Sequence, residues 1–330
     1  MTALVRDPMR DPTPLAPRPG RRPPAAGAAS LALRPVLDAP RRPARVIAVF
    51  PSAVYLEPRG GPEPRVIAVV SSDAVRLPNA VVVVATCRER PFRAVREGGD
   101  AWVGDGRVET EGLETRVRRW WEPSPALGAV PPAVLARGVR ALEAALRDAG
   151  EASRGGLAGH PDPVRLADRC AAGDLAGTVE AAERIVGLGP GLTPSGDDIL
   201  SGLLLSLRLL GGALRAGGHG TGRGGGRAEW MADWLGAAVT ADAGTRTTAL
   251  AATLLHCAAS GAAGAEVAAV LRAVAGHEPA APAVRRLLAA GHTSGADLAA
   301  GVLAGCRAAL ALAPDRARAG APARPRKVPV

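Results

Sequence analysis

Two stretches of this 330-residue chain carry residue types that can do chemistry, and both run from a glycine-bearing loop into an apolar helix. The first reads Gly187-Leu-Gly-Pro-Gly-Leu-Thr-Pro-Ser-Gly-Asp-Asp198 and leads into Ile199-Leu200-Ser201-Gly202. Glycine at alternate positions lets the backbone take positive φ and approach a ligand closely. Ser195 with Asp198 three residues on fits a capping box, which would leave first-turn amides and the positive end of a helix dipole facing a small anion. Gly189, Gly191, Thr193, Ser195 and Gly196 are therefore candidate binding residues, and Asp197 and Asp198 candidate catalytic ones. Two adjacent carboxylates would repel a bare anion. They suit either a hydroxyl or amide donor on the ligand, or a Mg²⁺ ion bridging to it.

The second stretch reads Gly291-His-Thr-Ser-Gly-Ala-Asp297 and leads into Leu298-Ala299-Ala300-Gly301. Aligned on serine, Ser195-Gly196-x-Asp198 matches Ser294-Gly295-x-Asp297, and the register persists, with Gly202 matching Gly301 and Ser206 matching Gly305. Small residues four apart let two helix backbones pack closely. The match predicts that the two helices pair and bring both starts to one pocket. Thr293, Ser294 and Asp297 join the candidate binding set, and His292, the one histidine inside such a motif, is a candidate for proton transfer. A third stretch, Gly244-Thr-Arg-Thr-Thr-Ala249, offers Thr247 and Thr248 and the planar fork of Arg246 as an anion clamp. The other histidines, His160, His219, His256 and His277, show no metal-ligand spacing.

Composition narrows the function further. Lys327 is the only lysine, which excludes a lysine-bearing phosphate loop, a Schiff-base enzyme and a lysine general base from the body of the chain. The net charge of +10 sits in the tails. Residues 1–45 carry nine Arg against three Asp, and residues 313–330 carry five positive side chains against one Asp, so residues 46–312 are formally neutral. A neutral body with 2 % aromatic residues lacks the footprint of a nucleic-acid binder. Cys87, Cys170, Cys257 and Cys306 form no C-x-x-C pair. The most apolar run, Ile199 to Leu210, is too short to cross a bilayer and contains Arg208. These features predict a cytoplasmic protein without membrane or nucleic-acid partners.

Hydrophobic patterning predicts an α+β protein, with a small N-terminal β-rich sheet or barrel domain followed by a mostly α-helical domain and disordered Arg/Pro-rich termini. The expected divisions are a basic extension over 1–43, a β-rich domain over 44–122, a helical ligand-binding domain over 123–313 and a basic tail over 314–330. Strands are expected at 46–50, 65–70 and 80–84, with further weak ones between 101 and 121. Helices are expected at 133–146 and at about 164–185, 197–212, 228–241, 247–260, 263–275, 281–290 and 295–312. Gly217 to Gly226 reads as a flexible connection.

The motifs at 187–198 and 291–297, with Thr247-Thr248 opening a helix between them, resemble those of a bacterial domain-of-unknown-function family that includes the AllH-type subunit of oxamate carbamoyltransferase. The resemblance extends over about Ala44 to Leu312. It implies transfer of a carbamoyl group between carbamoyl phosphate and oxamate, with oxalurate on the other side of the reaction, in allantoin-type nitrogen catabolism. It also implies partner subunits of the FdrA type, which are similar to acyl-CoA synthetases. In that setting Gly189, Gly191 and Ser195 would hold phosphate or carboxylate, Arg246 would neutralise it and His292 could move a proton. The competing expectation is a non-catalytic metabolite-binding or assembly subunit within such a complex.

Overall fold

A computed structural model describes residues 24–217 and 226–313. The chain divides into two compact units, one holding the strands, the other formed by Val75–Asn79 and the residues from Glu122 onward.

The first unit is a closed barrel of eight strands: β1 (Ala25–Ser30), β2 (Arg42–Val49), β3 (Ala53–Pro58), β4 (Ile67–Val70), β5 (Ala80–Val83), β6 (Asp100–Gly104), β7 (Arg107–Thr110) and β8 (Leu113–Trp121). The order around the barrel is β1-β5-β4-β3-β2-β6-β7-β8, and it closes through a parallel β1–β8 pairing. Its core draws on Val46, Leu56, Ile67, Val69, Val81 and Val103, joined by Leu33, Val36 and Leu37 from a 3-10 turn (Leu31–Leu33) and the short helix α1 (Arg34–Leu37). Closure removes free sheet edges, which explains how such short strands suffice.

Two strands depart from the sequence expectation. β1 and the start of β2 lie inside the segment 1–43 expected to be disordered, so that boundary is corrected to include them. Its sequence, Ala-Ala-Gly-Ala-Ala-Ser, has weak strand propensity. Pairing on both sides overrides that weakness, and small residues are required there: a Cβ on Gly27 would stand 2.6 Å from Thr115 Cγ2. β3 is the second, lying between the strands expected at 46–50 and 65–70. A tight reversal at Phe50, whose N–H donates to the Ala53 carbonyl at 2.7 Å, sends the chain back beside β2. The expectations of disorder for 1–23 and 314–330, and of a flexible link for 218–225, lie outside the described residues.

The second unit is helical: α2 (Pro132–Ala149), α3 (Pro161–Ala172), α4 (Leu175–Ile185), α5 (Ser195–Ala216), α6 (Arg227–Thr240), the short α7 (Ala243–Arg246), α8 (Ala249–Ala259), α9 (Ala265–Val274), α10 (Ala280–Leu288) and α11 (Ser294–Ala311). The pattern expected over 164–185 is split in two. Gly173 takes a left-handed conformation, φ 73°, and ends α3, while Asp174 accepts from the Gly177 N–H at 3.0 Å and opens α4. His160 also has a local structural task, accepting from the Asp162 N–H at the start of α3.

α5 is the centre of this unit. It runs to 22 residues, past both ends of the expected apolar run, and among the described residues it is the one helix long and apolar enough to cross a membrane. Two-thirds of that apolar stretch is buried inside the protein. Much of the contact is with α11, as the matched glycines predicted. A Cβ on Gly202 would lie 2.4 Å from the Leu298 carbonyl oxygen, one on Gly301 2.0 Å from the Ile199 carbonyl oxygen, and one on Gly305 2.6 Å from Ser206 Cβ. Each glycine therefore touches the backbone or Cβ of the opposite helix, which leaves no side chain that can move aside.

This contact gives a stability prediction. Alanine at Gly301 gains about 1 kcal/mol of helix propensity but forces backbone apart, which costs typically 1–3 kcal/mol and more where nothing can yield. Gly301→Ala should lower stability by about 2 kcal/mol in urea titration. Gly212→Ala on the same α5 faces the Glu229 side chain at 3.2 Å and should be neutral or stabilising.

Candidate functional site

The two helix starts are built alike. The Gly196 N–H donates to the Leu188 carbonyl at 2.9 Å, and the Gly295 N–H donates to the Ala290 carbonyl at 2.9 Å. Asp198 and Asp297 each close the first turn, onto the carbonyls of Pro194 and Thr293. Gly196 and Gly295 sit so close to the ends of the preceding helices that a Cβ would stand 1.8 Å from the Ile185 oxygen and 2.1 Å from the Leu287 oxygen. The spacing Ser-Gly-x-Asp is thus the signature of a helix seated against the end of its predecessor. The expected capping box does not form. The helix begins at Ser195 itself, with Pro194 as its cap residue and no side-chain cap bond.

Pairing of α5 with α11 brings the starts together, as expected. The hydroxyls of Thr193 and Ser294 hydrogen-bond at 2.9 Å. Beside them lie Asp198, 5 % exposed, and Asp297, 1 % exposed. Asp297 Oδ2 accepts from the Gly156 N–H at 3.2 Å. Asp198 Oδ2 is buried and, among the described residues, has no hydrogen-bond partner. Burial pushes the Asp198 carboxyl up to about 8, and the charges of Asp297 and Asp197 add to that rise, against the opposing pull of the Ser294 and Thr193 hydroxyls. At neutral pH Asp198 is a carboxylic acid, able to donate as well as accept.

The remaining candidates hold the loop in place. Gly187, Gly189 and Gly191 have φ of 72°, 123° and 92°, so all three need the left-handed freedom of glycine, as expected. Asp197 accepts from the Gly187 N–H through Oδ1 at 3.0 Å and from the Thr247 hydroxyl through Oδ2. Burial raises its carboxyl, while Thr247, Gly187 and Arg246 draw it back down. Thr248 caps α8, accepting from the Ala251 N–H, and donates its hydroxyl to the Leu192 carbonyl. Arg246 donates to the Glu183 carbonyl in the last turn of α4 and lies 3.7 Å from Asp242, so its fork serves the negative end of that helix. His292 is exposed and, among the described residues, has no hydrogen-bond or ion-pair partner.

Each Asp197 oxygen thus already accepts one hydrogen bond from the protein. Among the described residues no group of three or more His, Cys, Asp or Glu side chains is gathered as for a metal. The amides an anion could meet also differ from the expectation. Those of Gly196, Asp197 and Asp198 in the first turn are spent on carbonyls, whereas among the described residues no backbone acceptor takes those of Gly189, Gly191, Leu192 and Thr193 in the loop before it.

Sequence reasoning missed one contributor, the loop at Gly155-Gly156. A Cβ on Gly155 would meet Asp297 Oδ1 at 2.1 Å, and one on Gly156 would meet Ser195 Oγ at 2.3 Å. The glycine pair itself was the signal. Only tertiary packing tells such a pair from an ordinary turn.

The raised Asp198 carboxyl makes stability depend on pH. Between the ordinary Asp range near 3.8 and about 8, folded protein keeps a proton that unfolded chain has lost. Wild-type stability therefore falls as pH rises through this window and is level above it. Asp198→Asn removes the dependence. The variant should gain on wild type progressively from pH 5 to pH 8, by more than about 2 kcal/mol in all at ~1.4 kcal/mol per unit, as read by thermal unfolding at each pH.

Residues 185–306, from the last residue of α4 to near the end of α11, match the family described as oxamate carbamoyltransferase subunit AllH. The match is narrower than the resemblance over 44–312 and lies wholly in the helical unit. It takes in the 187–198 loop, the 244–249 stretch and the 291–297 turn. No curated protein and no solved structure matches the chain. Through the paired helix starts and the segment between them, this chain is similar to the AllH-type family.

Proposed function

We propose that this protein acts as one subunit of an oxamate carbamoyltransferase-like enzyme and binds its small carbamoyl or carboxylate substrate where α5 and α11 begin. The observation that carries this reading is the convergence of a protonated acid, Asp198, a second carboxylate, Asp297, and two hydroxyls, Thr193 and Ser294, where the glycine loop enters α5. Loop amides at Gly189, Gly191, Leu192 and Thr193 would take phosphate or carboxylate oxygens. Asp198 would donate to a carbonyl or leaving phosphate oxygen, and Asp297 would accept an amide N–H of oxamate. In the transfer the carbamoyl carbon leaves the phosphate oxygen and bonds to the oxamate nitrogen. The amide proton it displaces passes to the phosphate.

One observation shapes the role of partners. Arg246, the cation expected to neutralise the substrate, is committed to the end of α4 and to Asp242, and Lys327 lies outside the described residues. With Arg246 held by the protein, the neutralising cation is assigned here to a partner subunit of the FdrA type, which the resemblance implies. The same observation favours the alternative reading, in which a partner performs the chemistry and this chain binds or assembles.

Oxalurate phosphorolysis by the purified chain and by its mixture with partner subunits tests both. The chain alone should be inactive and the mixture active. In the mixture, Asp198→Asn and Asp297→Asn should each lower kcat by about a hundredfold or more, the scale of losing a positioned acid or base. Unchanged turnover in both variants would move the chemistry to the partner. Arg246→Ala should lower the melting temperature and leave oxamate affinity, measured by calorimetry, unaltered.

A further inference from the structure

Asp198 also lines a cleft in the helical unit that opens to solvent. Its walls are mainly hydrocarbon, with Val75, Leu205, Leu254 and Leu287 facing the interior. The polar groups on its lining include Asp198 and Glu266. Glu266 has cationic neighbours, Arg286 and Arg76, that act on its charge. Among the described residues none acts on Asp198: the charged groups that do are the carboxylates of Asp297 and Asp197, and its Oδ2 is buried without a hydrogen-bond partner.

An unpaired buried acceptor costs about 1–3 kcal/mol, more if charged, and is retained where a ligand satisfies it. Oxamate and carbamoyl phosphate are small polar anions, and hydrocarbon walls leading to a carboxyl suit neither. A ligand complementary to the whole cleft has an apolar body and a cationic donor at one end. We propose that the cleft binds an aliphatic primary amine, with its ammonium on the Asp198 carboxylate, whose proton is released to solvent on binding, and its hydrocarbon body between Leu205, Leu254 and Leu287. The proposal rests on the Asp198 placement used in the preceding reading, but it requires neither the partner subunits nor carbamoyl transfer.

Calorimetry on the full-length chain with n-pentylamine, 1-pentanol and pentanoate is the test. The amine should bind at least about tenfold more tightly than the alcohol, the value of one charge-assisted hydrogen bond, and pentanoate should bind weakest. Asp198→Asn should reduce amine affinity by about tenfold or more and leave the alcohol unchanged. Leu254→Trp, which fills the cleft and retains Asp198, should weaken both ligands and spare oxamate. Equal binding of amine and alcohol, or an amine affinity indifferent to either substitution, overturns the proposal. Amine binding in a chain that never supports oxalurate phosphorolysis would sink the carbamoyltransferase reading alone. Phosphorolysis without amine binding would sink this one alone.

Discussion

The helical unit depends on the contact of two helix backbones. Gly202, Gly301 and Gly305 allow α5 and α11 to approach until carbonyl oxygens of one helix lie within about 2–3 Å of where a Cβ of the other would stand. Such proximity yields dispersion contacts along both helices and fixes their relative rotation and rise. The positions of the two helix starts follow. Had the axes been separated by ordinary Leu packing, Thr193 and Ser294 would be too far apart to share a hydrogen bond, and Asp198 would not feel the charge of Asp297.

The same closeness accounts for the electrostatics. Three carboxylates, Asp197, Asp198 and Asp297, are buried together, and burying charge is costly unless each is satisfied. They solve the problem in different ways. Asp197 takes two protein donors and ties the glycine loop to Thr247. Asp297 takes the Gly156 N–H. Asp198 retains a proton. Environment therefore assigns a structural post to the first and leaves chemical freedom to the third, although Asp197 and Asp198 are neighbours in the chain.

The loop before α5 shows how three left-handed glycines can be held without lysine or a capped helix end. Thr248 grips the Leu192 carbonyl, Asp197 grips the Gly187 N–H, and the Arg246 side chain anchors beside the end of α4. These bonds hold three left-handed glycines in one conformation, so the loop carries little ordering cost of its own.

Much of this was legible in the sequence. Periodicity and turn residues determined the helices and most of the strands, because each reports a local preference. The repeated Ser-Gly-x-Asp, with small residues at matching positions behind it, determined that α5 and α11 pair and that their starts meet, because only small residues permit that approach. What tertiary structure alone decided was the use of each group. Whether Arg246 reaches a ligand or a helix end, whether Asp197 is free or committed, and whether Ser195 caps or begins its helix depend on which donors arrive from elsewhere in the chain. β1 was hidden for the same reason: Ala-Ala-Gly-Ala-Ala-Ser becomes a strand only because β5 and β8 supply hydrogen bonds on both sides and leave room for little more than glycine and alanine. Local sequence encodes propensity and shape, whereas burial and partners, which set a carboxyl's proton and an arginine's target, are properties of the assembled fold.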